Sequence, residues 1–267
     1  MERLKPLIVL FLLTVSTGLM LRSPSLIPFG LGLSIFIPPV FIRVLREYSL
    51  FWSSLLTFPA LLFLFFLNRE SLLDVSSVIV LGALFFLMKN FSPSITVTTG
   101  GVFLTFVTVL EETLFGLPKE VGPLKELLSY RYGIYFFSSS LFSYLSYGIS
   151  RLFCRELRPL SNLKYGFWLV ILFILSALGV VLKLSGVLGE VSKNLLIVSI
   201  SLISLQGLTV SLWFWSKLSN LWKLITGISI IIFPAALFVL SAILGLLDYM
   251  LNFRKLEGGE ENESNTN

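Results

Sequence analysis

Apolar blocks separated by short polar connections run along nearly the whole chain. A helix needs about 20 apolar residues to cross a bilayer, within a range of about 17–25. On that measure the pattern predicts nine candidate spans, at residues 6–21, 26–42, 50–67, 75–89, 95–110, 132–150, 165–183, 194–216 and 224–250. We therefore expect an all-α fold, a polytopic bundle of transmembrane helices.

Prolines interrupt several of these blocks. Pro38 and Pro39 are adjacent in the second, Pro59 lies in the third, and Pro234 lies in the ninth. Proline removes a backbone donor and kinks or breaks a helix. In a membrane, neighbouring helices or water must then satisfy the freed carbonyl groups. The pattern predicts several Pro-kinked spans and a second span that is kinked or broken.

The composition agrees with a lipid environment. Of the 267 residues, 55% are hydrophobic and 13% are charged, whereas soluble domains carry about 25% charged residues. So much apolar surface requires an apolar solvent, which is the bilayer. The net charge of +5 is spread in short runs between apolar blocks, which favours an anionic membrane leaflet over nucleic acid as the partner.

The most basic connection covers residues 151–164, with Arg151, Arg155, Arg158 and Lys164. Basic loops face the cytoplasm, and Arg43 and Arg46 after the second predicted span agree with that orientation. We therefore expect a multi-pass protein of the cell inner (plasma) membrane.

The same rule leaves the end of the chain open. Three crossings after residue 164 would place Arg254 and Lys255 outside, where basic residues are disfavoured. Eight spans with both termini inside and nine spans with opposite termini are both possible, so we expect about eight spans, in a range of about 7–9. Residues 1–253 form a single predicted membrane domain, and residues 254–267 a disordered acidic tail.

Catalytic and metal-binding signatures are absent from the sequence. There is no histidine and one cysteine, Cys154, which excludes Ser-His-Asp and Cys-His catalysis. There is no phosphate-binding loop, so the chain has no nucleotide motor of its own. No predicted span carries an ionisable residue near its centre, as proton-coupled transporters normally do. We expect neither an enzyme nor a bound cofactor or metal.

Polar residues inside or beside the apolar runs are the candidate site residues. Gln206, followed by Gly207, lies well inside the eighth predicted span. It either makes an interhelical hydrogen bond, with Gly207 permitting close contact, or binds a ligand in a central cavity. Asn194 is expected to cap the start of the same helix. Asp248 is expected to anchor the end of the last helix and shares a helical face with Lys255.

Two further stretches carry polar residues. Residues 91–101, which include Thr98 and Thr99, form either a turn with a helix N-cap or an irregular backbone patch that lines a cavity and binds a ligand. Glu111 and Glu112 are either solvated interface charges or a gate. Four serines share one face of the sixth predicted span and predict a packing stripe rather than a polar lumen: Ser139, Ser143, Ser146 and Ser150.

The run NLLIVSISLISLQGLTVSLWFW at 194–215 and the later LGLLDYMLNFRK at 244–255 resemble the signature of the YybS-like family of predicted bacterial membrane proteins. The family has an Asn near the start of its penultimate helix, a Gln-Gly in the middle, a Gly-x-x-Asp in the last helix and a basic stop. The residues of this chain that match that pattern are Asn194, Gln206, Gly207, Gly245, Asp248, Asn252, Phe253, Arg254 and Lys255. The proline that the family often carries before Trp168 is missing here.

The resemblance implies a distant similarity to the substrate-binding subunits of energy-coupling-factor transporters and to the rod-shape protein MreD. The expected function is a membrane subunit that binds or transports a small solute or lipid and acts with other membrane subunits or a separate ATPase. The alternative is a structural or morphogenetic scaffold of the cell envelope. An intramembrane enzyme would require Asp248 to converge with Glu111 or Glu112.

Overall fold

The computed structural model describes residues 5–67, 70–116, 125–221, 223 and 234–254. All regular elements of these ranges are helical, which confirms the predicted all-α class. The α-helices are α1 (Lys5–Leu21), α2 (Ile27–Ser34), α3 (Ile37–Glu47), α4 (Leu50–Leu67), α5 (Glu70–Leu87), α6 (Pro93–Phe115), α7 (Arg131–Phe153), α8 (Trp168–Val181), α9 (Gly186–Lys217) and α10 (Pro234–Leu251), with short 3-10 helices at Lys125–Tyr130 and Leu160–Asn162.

The second predicted span is broken, as its prolines suggested. The helix is interrupted between α2 and α3, and Pro38 and Pro39 lie in the first turn of α3. The first N–H groups of a helix have no intrahelical partner, so proline removes no bond there. Pro59 lies inside α4, whose bounds match the predicted span at 50–67, and Pro234 is the first residue of α10.

The stretch at 91–101 is a helix cap followed by regular helix. Ser92 precedes α6, and its hydroxyl accepts a hydrogen bond from the Ile95 N–H at 3.4 Å. The interpretation as a turn with an N-cap is confirmed, and the interpretation as an irregular patch is wrong. Thr98 and Thr99 are half-buried residues in the second turn of α6.

Two compact units divide the chain, where the sequence predicted a single domain. Unit 1 comprises Met1–Glu120 and Ser138–Pro159, and unit 2 comprises Val121–Phe137 and Leu160–Asn267. Helix α7 therefore contributes its first turns to unit 2 and the rest to unit 1.

In unit 1, apolar side chains from α1, α3, α4 and α5 form one buried cluster: Leu10, Ile37, Phe41, Val44, Leu45, Leu64, Val75, Val78 and Ile79. Beside them, α6 and α7 approach closely through small residues. Gly101 faces the backbone of Ser140, and Ser143 donates a hydrogen bond of 2.9 Å to the Val97 carbonyl. All four serines of the predicted stripe are buried, and the close contact at Ser143 agrees with the packing interpretation, although Ser139 also borders a cavity.

In unit 2, α9 and α10 pack backbone to backbone at two glycines. A Cβ atom at Gly207 would overlap the carbonyl oxygen of Ser241, and a Cβ atom at Gly245 would overlap that of Ile203. The close approach of α9 and α10 therefore requires glycine at both positions, because any other residue would force the helices apart.

Within the described ranges, three runs of helix are long and apolar enough to cross a membrane: Ile27–Glu47, which α2 and α3 form in succession, α6 and α9. Five further apolar helices are shorter, at Lys5–Leu21, Leu50–Phe66, Ser71–Leu87, Trp168–Val181 and Leu237–Leu251. Candidate spans are thus present, while the predicted count of about eight stays a prediction.

Replacing Gly207 by alanine tests the backbone contact. We expect Gly207→Ala to lower the free energy of unfolding by about 1–3 kcal/mol, because the added methyl group overpacks a contact with no free space. Thermal unfolding of the purified protein in detergent, followed by tryptophan fluorescence, measures the change.

The matched control is Gly32→Ala in α2, where an added Cβ atom would meet nothing within 4 Å. This substitution should be neutral or slightly stabilising, since alanine is the better helix former. Equal effects of the two substitutions would show that Gly207 is not a site of close helix contact.

Candidate functional site

The most concentrated polar contact of unit 2 surrounds the carboxylate of Asp248 in the last turn of α10. The side chain is 1% exposed. Its Oδ2 accepts hydrogen bonds from Arg254 Nη2 and Gln206 Nε2, each at 2.9 Å, and its Oδ1 accepts one from the Phe253 N–H at 3.1 Å. A buried carboxylate is tolerated only when paired and hydrogen-bonded, and Asp248 meets both conditions.

A left-handed turn at the end of α10 brings the cation to this carboxylate. Asn252 has a φ of 42°, a conformation that asparagine adopts more readily than most residues and that commonly ends helices. The chain folds back, so that Phe253 and Arg254 return to Asp248. Arg254 also donates from Nη1 to the Ser161 carbonyl at 2.8 Å, which ties the end of α10 to the segment before α8.

Gln206 completes this contact from α9. Its Nε2 donates to Asp248, and its Oε1 accepts a hydrogen bond from the Tyr165 N–H at 3.0 Å. The residue is 0% exposed, so both ends of the amide are engaged and no surface is left for a ligand. This geometry favours the interhelical hydrogen bond over the ligand contact, and Gly207 beside it packs against Ser241.

Six of the nine residues that carry the resemblance meet at one place: Gln206, Gly207, Gly245, Asp248, Phe253 and Arg254. The sequence did not predict the ion pair of Asp248 with Arg254, nor the contributions of Ser161 and Tyr165. Lys255, which was predicted to share a helical face with Asp248, lies outside the described residues, as does the acidic tail after it.

The predicted role of Asn194 as a helix cap is wrong. Helix α9 begins at Gly186, so Asn194 lies two turns inside it. Its Oδ1 accepts a hydrogen bond from the Gly133 N–H at 2.8 Å, and its Nδ2 donates to the carbonyls of Ser129 at 2.9 Å and Glu190 at 2.8 Å. Asn194 joins α9 to the start of α7 within unit 2, and its Oδ1 satisfies the Gly133 N–H, one of the first N–H groups of α7, which have no partner within the helix.

Unit 1 contains a cavity of about 420 Å³. Helices α1, α2, α5, α6 and α7 supply its wall: Thr17, Leu21, Leu31, Gly32, Ser34, Ile35, Asp74, Val75, Ser77, Val78, Leu104, Val107, Thr108, Ser138, Ser139 and Phe142. Thr98, Thr99, Glu111 and Glu112 are not among them, so neither the predicted threonine site nor the predicted glutamate gate coincides with this cavity.

Asp74 is the charged residue of this wall, and the sequence analysis missed it. The fourth predicted span began at residue 75, whereas α5 begins at Glu70, which places Asp74 one turn inside an apolar helix. The signal was available in the run SLLDVSSVIV, where a carboxylate interrupts a helical apolar pattern.

Among the described residues, no three His, Cys, Asp or Glu side chains form a metal-binding group.

A third polar contact marks one end of unit 1. Glu156 lies 3.0 Å from Lys89 Nζ and 3.3 Å from Arg46 Nη2. The hydrogen bond from Lys89, together with the charges of Lys89 and Arg46, holds the pKa of Glu156 below its ordinary value. The ion pairs of Glu156 with Lys89 and Arg46 are therefore formed at neutral pH, and they are lost only as the pH falls through the lowered pKa of Glu156. All three side chains are partly exposed to solvent, so its contribution to stability is small.

Removing the charge of Asp248 tests the buried ion pair. We expect Asp248→Asn to lower the free energy of unfolding by about 3–5 kcal/mol, because it leaves the buried guanidinium of Arg254 without a counter-charge. Denaturation in increasing SDS, measured by circular dichroism, gives the value. Gln206→Leu should cost less, about 1–3 kcal/mol, since it removes two hydrogen bonds but leaves the ion pair of Asp248 with Arg254 in place.

Glu156→Gln is the matched control, because it breaks an ion pair that is exposed and worth about 1 kcal/mol or less. The double variant Asp248→Asn with Arg254→Gln should be less destabilised than the sum of its single variants. Additive losses, or an Asp248→Asn loss no larger than that of Glu156→Gln, would contradict the pairing.

Comparison of the chain with family models, with curated proteins and with solved structures gives no match. The similarity to the YybS-like family therefore stays a prediction based on residues of α9, α10 and the turn after α10.

Proposed function

We propose that this chain is a multi-pass protein of a bacterial inner membrane that binds a small solute or lipid and acts with separate partner subunits. The observation that carries the proposal is the cavity of about 420 Å³ in unit 1. Its volume lies within the range of about 300–1,000 Å³ typical of small-molecule sites, and its mostly apolar wall with a few polar groups is typical of them too.

The surface of the helices supports a lipid environment. Large apolar side chains are widely exposed, with Phe66 at 77% and Met250 at 82%. Extended apolar surface of this kind drives aggregation in water but is the normal exterior of a helix in a bilayer. Helix α9, with 32 residues, is about 48 Å long, which exceeds the hydrocarbon core of about 30 Å.

The contacts of Glu156 support six crossings before the basic loop. Arg46 follows the second predicted span, Lys89 ends the fourth, and Glu156 follows the sixth. Their contact requires these three connections to lie at the same membrane face, as successive crossings by all six spans would place them. The basic residues of the loop 151–164 assign that face to the cytoplasm.

The contact of Arg254 with Ser161 extends the same argument to unit 2. It places the end of α10 beside the segment that precedes α8, so the number of crossings between them is even. We therefore favour eight spans with both termini in the cytoplasm over nine spans with opposite termini.

Separate partners follow from the absence of a phosphate-binding loop in the sequence. If the bound solute is moved against a gradient, another subunit must supply the energy, as in the energy-coupling-factor transporters that the resemblance suggests. A scaffold of the cell envelope, like MreD, is the second candidate. It is favoured by one observation, namely that Gln206 and Gly207 serve packing and leave no surface for a ligand.

Purification from native membranes tests the function. We expect a tagged full-length chain to copurify with an ATPase or another membrane subunit, and its unfolding temperature to rise with a small-molecule ligand. Copurification with envelope assembly proteins, together with no thermal response to any ligand, would favour the scaffold instead.

Cysteine labelling tests the membrane orientation. Cys154 is buried and is the one cysteine of the sequence. The substitution Cys154→Ala therefore gives a cysteine-free background. Into this background, Asn162→Cys, Val187→Cys and Ser264→Cys are introduced one at a time. We expect a membrane-impermeant maleimide to label only the cysteine at position 187 in intact spheroplasts, and all three after lysis. Labelling at position 264 in intact spheroplasts would contradict the even span count.

A further inference from the structure

We infer that the unit 1 cavity binds an organic amine, with the ammonium group paired to the carboxylate of Asp74 and an apolar body against the surrounding helices. The inference rests on the proposed function, because it names the class of ligand that the same cavity would take. Four properties of the wall lead to it, namely its charge, its hydrogen-bonding capacity, an unpartnered hydroxyl and its apolar area.

The charge of the wall is negative. Asp74 borders the cavity, and no lysine or arginine is among the residues that line it. Among the described residues, no cationic side chain forms an ion pair with Asp74, in contrast to Asp248 with its Arg254. Asp74 is exposed where it borders the cavity, so a ligand cation can reach its carboxylate and supply a positive counter-charge. A carboxylate or phosphate ligand would be repelled.

Three hydroxyl groups of the wall donate their protons to backbone carbonyls of their own helices. Ser34 donates its hydroxyl proton to the Leu31 carbonyl at 2.6 Å, and Ser77 donates its proton to the Asp74 carbonyl at 2.7 Å. Thr108 donates in the same way to the Leu104 carbonyl at 3.0 Å. Each hydroxyl oxygen keeps its lone pairs. Together with the carboxylate, these oxygens form a wall that complements a ligand with several N–H donors, such as a primary ammonium group.

One hydroxyl of the wall lacks a partner. Thr17 borders the cavity from α1 and is 0% exposed, and its Oγ1 makes no hydrogen bond to any described residue. A buried polar group without a partner costs about 1–3 kcal/mol. A donor on a ligand would satisfy this oxygen, which gives the site a second polar contact in addition to Asp74.

Most of the remaining lining is apolar and comes from all five helices: Leu21, Leu31, Ile35, Val75, Val78, Leu104, Val107 and Phe142. Ser138 and Ser139 of α7 also border the cavity. A small inorganic cation would leave the apolar area without contacts, whereas a hydrocarbon or aromatic body would cover it. The combination of one carboxylate, several acceptors and a mostly apolar, partly open wall therefore fits an amphiphilic organic cation.

The test uses the full chain purified in detergent and three probes with similar hydrocarbon bodies: 2-phenylethylamine, 2-phenylethanol and 3-phenylpropionate. Binding is measured by the shift of the unfolding temperature and by equilibrium dialysis. We expect the amine to bind, the alcohol to bind about tenfold more weakly or worse, since it lacks a charge-assisted hydrogen bond, and the carboxylate not to bind. Sodium chloride alone should give no comparable shift.

Two variants locate the binding. Asp74→Asn keeps the size of the side chain and should weaken the amine about tenfold or more while leaving the alcohol unchanged. Gly32 lines the cavity, and nothing lies within 4 Å of a Cβ atom at this position, so a larger side chain has room there. Gly32→Leu should therefore occupy part of the cavity and abolish binding of every probe. Glu156→Gln, which removes an exposed carboxylate, should leave amine binding unchanged.

The outcomes distinguish a failure of the amine inference from a failure of the proposed function. Equal amine affinity in Asp74→Asn and in the unchanged chain, or a sodium chloride shift as large as that of the amine, overturns the inference. If the alcohol binds as tightly as the amine and Gly32→Leu removes both, the cavity binds small molecules but not as an amine site. If none of the probes binds, the amine inference fails, and a thermal response to lipid extract then separates its failure from that of the proposed function.

Discussion

A charged side chain among apolar helices must be neutralised, and the polar architecture of this protein follows from that requirement. The carboxylate of Asp248 is neutralised within unit 2 by Arg254 and is hydrogen-bonded by Gln206 and the Phe253 N–H. Because four segments of chain supply these groups and their partners, one ion pair determines how α9, α10 and the start of α8 come together. The contact has no room for a ligand and serves the fold.

Asp74 shows the opposite arrangement, because it is exposed where it borders the unit 1 cavity. Its neighbours in the cavity wall are apolar groups and hydroxyl oxygens, and the described part of unit 1 offers it no ion pair. Asp248 stabilises the assembly of helices, whereas the role that we propose for Asp74 is to pair with a ligand.

Hydropathy was enough to predict the helical class and the approximate place of most helices, because apolar length reports directly on the bilayer. It also drew attention to Gln206 and Asp248, since a polar atom in an apolar run is conspicuous. It could not predict the pairing of Asp248 with Arg254, which depends on the left-handed turn at Asn252. It placed Asn194 at a helix end because the predicted span began at residue 194, whereas α9 begins at Gly186 and Asn194 contacts Ser129 and Gly133 from inside that longer helix. The cavity was beyond sequence reasoning, because five separate helices form its wall.

The ion pair of unit 2 also makes the fold depend on a residue near the end of the described chain. Arg254 bonds to Ser161, 93 positions earlier, and neutralises a carboxylate six positions before it. A chain truncated before Arg254 would keep the carboxylate of Asp248 among apolar helices without its counter-charge. The quality-control proteases of the membrane would thus have a simple chemical criterion for an unfinished molecule.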